Sequence, residues 1–92
     1  MKKVIIGECF LCGQYTYLER HHIFGGAFRT KAEKDGLVVN LCHFCHNEPP
    51  NGAHHNKETM LKLRQYGQRI AMEKHKWTTD DFIREYGKNY LL

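Results

Sequence analysis

Leu37-Val38-Val39-Asn40-Leu41-Cys42-His43-Phe44-Cys45-His46 is the stretch that decides the fold. Residues 37–41 have β-branched residues at their centre and favour a strand. That strand delivers a Cys-x2-Cys pair, and a helical turn is expected to begin near Cys45-His46. Upstream, Cys9-Phe10-Leu11-Cys12-Gly13 repeats the same spacing in a tight turn, where Gly13 lets the backbone bend back. The two pairs are separated by 29 residues. Each two-residue spacer lets one turn present two thiolates on the same side. Four soft thiolates in two pairs suit tetrahedral Zn²⁺. Free buried thiols, two disulfides or an iron–sulfur cluster are the other uses of such a set. With Cys9, Cys12, Cys42 and Cys45 all bound, zinc has no open position for water or substrate, so its role is structural. It clips the start of the chain to its middle and supplies folding energy.

A staple of this kind matches the size of the protein. At 92 residues the chain is read as one domain, residues 1–92, with a knuckle-bearing core over 1–56 and helices over 57–92. Chains only a little shorter rarely stabilise a core without a metal or cross-link. The 26% charged and 12% aromatic content is that of a globular protein. No apolar run reaches the roughly 18 residues of a membrane span, so no membrane partner is expected. The start, Met1-Lys2-Lys3-Val4-Ile5-Ile6, is too briefly apolar for a signal peptide. A cytoplasmic, intracellular location is therefore expected, which also disfavours disulfides.

Outward from the central strand, Val4-Ile5-Ile6 is expected as a short strand, and Gln14 to Ile23 as a longer one ending at Gly25-Gly26. Arg29 to Asp35 is charged and ends at Gly36. Pro49-Pro50-Asn51-Gly52 interrupts the chain. From Asn56, a plausible N-cap, the pattern is helical, with Met60, Leu63, Gly67, Ile70 and Ala71 at the spacing of a buried stripe. A last helix starts at Thr78 or Thr79, with Phe82, Ile83 and Tyr86 on its apolar side and Gly87 at its end. The class is α+β.

The net charge of +4 is unevenly placed. Residues 57–76 hold six basic side chains against Glu58 and Glu73. Lys62, Arg64 and Arg69 on this helix, with Arg20, Arg29 and Lys31 further upstream, are candidates for phosphate contact, solvation being the alternative. The seven histidines are over-used for this length. His43 and His75 read as surface residues. The doublets His21-His22 and His54-His55, with His46 beside a cysteine, are harder to dismiss. The zinc clip would bring His46 towards the first half of the chain, where His21 and His22 lie. Several imidazoles around a divalent ion with open positions describe a catalytic site.

These residues carry a resemblance. Cys9-x2-Cys12, Glu19-Arg20-His21-His22-Ile23-Phe24 and Leu41-Cys42-x2-Cys45-His46 together resemble the HNH endonucleases, the ββα-metal or His-Me finger superfamily. His-His-Ile-Phe-Gly-Gly, Asp35 to Cys42, Gly52-Ala53-His54 and Tyr86-Gly87-Lys88-Asn89-Tyr90-Leu91 are similar to small phage-type members related to the recombination-enhancement nucleases. The resemblance spans nearly the whole chain. It implies a zinc-stapled ββα-metal core, a β-hairpin and helix around one divalent ion, with additional C-terminal helices. It implies hydrolysis of phosphodiester bonds, foremost in DNA. His21 would bind the active-site ion (Mg²⁺, Mn²⁺, Ni²⁺ or Zn²⁺) and His22 would be the general base, although an alternating strand allows the reverse. His46 would be a second ligand, and His54 a third ligand or a phosphate contact. The family's middle asparagine, five residues before the second cysteine pair, is Leu37 here, and the nearest asparagine is Asn40. A bacterial or phage source fits the resemblance. A chain this small would need a homodimer, or a larger recombination or packaging partner, to cut both strands.

The chemistry agrees. Phosphodiester hydrolysis needs a base of near-neutral pKa, which histidine supplies, and a cation on the phosphate and leaving oxygens. Carboxylates are too sparse near the motifs for a two-metal carboxylate nuclease. The alternative is a non-catalytic zinc-finger module binding nucleic acid or protein. It uses the cysteines and the basic helix, and leaves His21, His22, His46 and His54 without a role. A thioredoxin-like redox protein would need a longer βαβ frame.

Overall fold

The structure, a computed structural model, describes residues 4–50 and 52–91. The Met1-Lys2-Lys3 start and Asn51 of the Pro-Pro-Asn-Gly loop lie outside the described residues. The fold is α+β. Strands β1 (Ile5–Glu8), β2 (Tyr15–His22) and β3 (Val38–Cys42) form one sheet in the order β1-β2-β3. Helices are α1 (Arg29–Lys34), α2 (His43–His46), α3 (Lys57–His75) and α4 (Thr79–Tyr86), with single 3₁₀ turns at Gly26–Phe28 and Ala53–His55. No described helix is long and apolar enough to cross a membrane.

The chain divides into two compact units. Residues 1–21 and 38–60 make the first unit, and residues 22–37 and 61–92 the second.

In the first unit, β1 and β2 pair antiparallel with Ile5 opposite Leu18 and Glu8 opposite Tyr15. The loop between them is the first cysteine turn. Cys9 N–H donates to the Gln14 carbonyl at 2.9 Å, and Gly13 N–H donates to the Cys9 carbonyl at 2.9 Å. Phe10 N–H donates to the Asn40 carbonyl at 3.0 Å, which fastens this turn to β3. Residues buried here are few and small: Cys9, Val39, Leu41, Cys42, Cys45 and Ala53, with His21. So little apolar volume leaves this unit short of a core of its own, a lack that a metal ion held by the four cysteines could make good.

The second unit has an ordinary apolar centre. Phe24 lies 4.9 Å from Tyr86 and 5.7 Å from Phe82 between ring centroids, and Ile23, Leu37, Leu63 and Ala71 close around them. Gly67 is required by close approach. A Cβ there would stand 2.9 Å from both Ile23 Cγ2 and Phe24 Cε2, two side chains too buried to yield. The buried face of α3 also holds Gln68, a position outside the expected apolar stripe. Its amide donates to Asn89 Oδ1 at 2.8 Å and its carbonyl accepts from Tyr90 N–H at 2.7 Å, so both ends of this buried side chain are met. The expected caps are present. Asn56 Oδ1 accepts from Thr59 N–H at 3.0 Å, and Thr78 and Asp81 form a reciprocal capping box. The charged run from Arg29 forms α1, held by buried Ala32 and by Lys31, whose ammonium donates to the Glu85 carbonyl at 3.0 Å.

Candidate metal centres

Two ligand sets stand in the first unit. The sulfurs of Cys9, Cys12, Cys42 and Cys45 all lie within 4.8 Å of one another. Cys12 Sγ and Cys42 Sγ are 3.7 Å apart, and all four thiols are free of disulfides. A tetrahedron with Zn–S bonds of about 2.3 Å has an S···S edge of about 3.8 Å, so the observed edge fits a shared ion. It is far from a disulfide bond of about 2.05 Å. Electrostatics point the same way. Burial and then the neighbouring thiols push Cys45 and Cys42 above the ordinary thiol value. At Cys9, burial is outweighed by the backbone N–H groups of Cys12, Cys42 and Leu11, and the thiol falls to about 6. Four thiols crowded this closely cannot all ionise unless a cation replaces their protons. The cluster can hold a metal ion, and zinc suits its donor set.

The second set is His21, His46 and His54, whose ligand nitrogens also lie within 4.8 Å of one another. The ring centroids form a near-equilateral triangle with sides of 5.1, 5.2 and 4.7 Å. His46 Nε2 and His54 Nε2 are 3.0 Å apart. Each ligand comes from a different device. His21 stands one residue before the end of β2 and is 2% exposed. His46 closes α2, one turn after the strand that carries the cysteines. His54 sits in the turn at Ala53–His55, which Gly52 makes possible. A Cβ on Gly52 would lie 2.7 Å from Glu48 N and 2.9 Å from Asn47 N, both backbone atoms.

Glu19 organises this triangle. Two residues before His21 on β2, it points to the same face of the strand. Its Oε1 accepts from His46 Nδ1 at 2.8 Å, and its Oε2 from His43 Nδ1 at 3.0 Å. With Nδ1–H given to the carboxylate, His46 turns the lone pair of Nε2 towards His54. Carboxylate partners of this kind orient metal-binding imidazoles. Partial burial pushes Glu19 up, but the hydrogen bonds and charges of His46 and His43 outweigh it and hold the carboxyl below its ordinary value. Burial, then the charges of His46 and His55, hold His54 below the ordinary imidazole value. His43 is exposed and raised by its bond to Glu19. Glu19 is the site residue that sequence reasoning did not single out. The available signal was its two-residue spacing from His21.

His22, the next residue, takes the opposite side of β2. Its Nε2 lies 2.5 Å from Glu33 Oε2 of α1, within the second unit. A carboxylate only accepts, so Nε2 carries the proton of this hydrogen bond. Asn40 enters the turn contact through its main-chain carbonyl.

Arg20, Arg29, Lys62 and Arg69 are exposed. Arg64 lies over the Tyr90 ring at 5.5 Å, and Lys31 is engaged by Glu85. Comparison with known protein families, curated proteins and solved structures finds no match to the chain.

Proposed function

We propose that the chain is a metal-dependent HNH-type endonuclease with a ββα-metal core, hydrolysing phosphodiester bonds in nucleic acid, foremost DNA. The observation that carries this reading is the His21–His46–His54 triangle, with Glu19 fixing the His46 tautomer, beside a separate set of four thiols. A structural zinc module needs only the second of these. Three imidazoles leave coordination positions open, as catalytic sites require. When bound, the divalent ion supplies positive charge at the scissile phosphate and at the leaving oxygen. His21, His46 and His54 would hold it, and Glu19 would keep His46 aligned. His22 Nδ1 takes the proton of the attacking water, while Glu33 fixes the ring through Nε2. The exposed cations Arg20, Arg29, Lys62 and Arg69 draw the polyanion in.

Metal counting and cleavage test the reading together. The wild-type protein should carry zinc at the thiolates, take up a second divalent ion, and cut DNA when Mg²⁺, Mn²⁺ or Ni²⁺ is supplied. His22→Ala should keep both metals and the fold while losing roughly 10²–10⁴-fold in rate, the usual value of general base catalysis. His46→Ala should lose the second ion and regain part of its activity in excess metal. A single bound zinc with no cleavage in any divalent ion would leave only a zinc-finger module.

A further inference from the structure

One face of β2 continues past the histidine triangle. Residues alternate along a strand, so Tyr15, Tyr17, Glu19 and His21 share a side. At the His21 end that side is engaged: Glu19 meets His43 and His46, and His21 is buried against the other imidazoles. At the other end it is open. Tyr15 is 73% exposed and Tyr17 68% exposed, although both carry large rings. Ile6, 54% exposed, stands directly across from Tyr17 and widens the apolar floor. Tyr15 and Tyr17 are about 7 Å apart along the strand, and Tyr17 is about 13 Å from His21.

From this continuity we infer that the Tyr15–Tyr17 face is a base-stacking platform, and that the substrate of the adjoining triangle is an unpaired polynucleotide strand. The inference deepens the nuclease reading and rests on it for the role of the triangle. Aromatic faces take bases of any sequence, but only bases whose own faces are free; in a duplex those faces are covered by stacking. Glu8 stands opposite Tyr15 and would repel a phosphate, so this end of the face takes bases and leaves the sugar–phosphate backbone outward. A strand lying along β2 with two bases on the rings would run its backbone towards His21.

The test is binding of a fluorescein-labelled oligothymidine of about a dozen nucleotides, within the usual range of single-strand sites, read by anisotropy with no divalent ion added. Wild type should bind it more tightly than the duplex of the same length. Tyr15→Ala with Tyr17→Ala should weaken single-strand binding by about tenfold per ring, with melting temperature and zinc content retained. Tyr15→Phe with Tyr17→Phe should bind as wild type, because stacking needs the ring and not the hydroxyl. Unchanged binding in the alanine pair would overturn the inference. So would equal loss in the phenylalanine pair, or a wild-type dimer in sedimentation that the alanine pair dissolves, since the face would then belong to a second copy. Loss of binding in the alanine pair alongside a wild type that cleaves nothing would leave the platform standing and remove the nuclease reading. Cleavage and binding unaffected in the alanine pair would remove the platform alone.

Discussion

Glu19 gives one oxygen to His46 and the other to His43, and its loss should be felt at the metal rather than in the fold. Glu19→Gln keeps the shape and one acceptor but removes the charge that stabilises the Nδ1–H tautomer of His46. Partners of this kind are worth roughly 10–100-fold in metal affinity. The expected result is a loss of that order for the second ion, measured by competition with a metal-binding dye, with zinc at the thiolates unaltered. Equal affinity in the variant would reduce Glu19 to a surface contact. The two histidines of the doublet differ because a strand turns consecutive residues to opposite sides. His21 joins two imidazoles, whereas His22 meets a carboxylate. Which of the two would bind an ion is the question the sequence left open.

At the scale of elements, the turn at Ala53–His55 depends on Gly52. Gly52 N–H donates to the Glu48 carbonyl at 2.7 Å, drawing the chain so close that a methyl group would strike main-chain atoms. Gly52→Ala should push the turn outward and carry His54 with it. The expected outcome is loss or strong weakening of the second ion with the four-thiolate site intact, read as metal content after dialysis. Retention of both ions would show that the turn adapts. Elements whose cause is local were legible in the sequence: β3 from its β-branched centre, the cysteine turns from their spacing, the Asn56 and Thr78 caps from residue type. Elements whose cause is distant were not. The run Arg29–Lys34 has no apolar period, and its helix is sustained by Ala32 and by Lys31 reaching Glu85, 54 positions away. Gln68 reads as a surface residue until Asn89 and Tyr90 supply its partners. The members of the triangle could be nominated from sequence, but Glu19 and Glu33 acquire meaning only through the imidazoles they meet.

At the scale of the molecule, the second unit carries its own acid sensitivity. Asp35 Oδ2 accepts from the Tyr86 hydroxyl at 2.7 Å, and Oδ1 from His75 Nε2 at 2.9 Å, joining the end of α1 to α3 and α4. Burial pushes this carboxyl up, but Tyr86 and His75 outweigh it and hold it below the ordinary value. A carboxyl depressed on folding contributes stability that is complete above its unfolded pKa, near 3.9, and is lost as pH falls through the lower folded value. Asp35→Asn should therefore lower the melting temperature at neutral pH and flatten its decline in acid. A parallel curve displaced at every pH would assign the loss to packing instead. The two ligand sets also differ in when they can exist. A chain leaves the ribosome from its N-terminus, and its parts acquire structure in that order. The thiolate set is complete once Cys45 has emerged, and the imidazole set must wait for His54. The unit closed by Gln68, Tyr86 and Tyr90 comes last. During synthesis, then, a cysteine clip could already hold the sheet, with His21 on it, when His54 arrives, so an ion on the thiolates would build the frame that His54 joins.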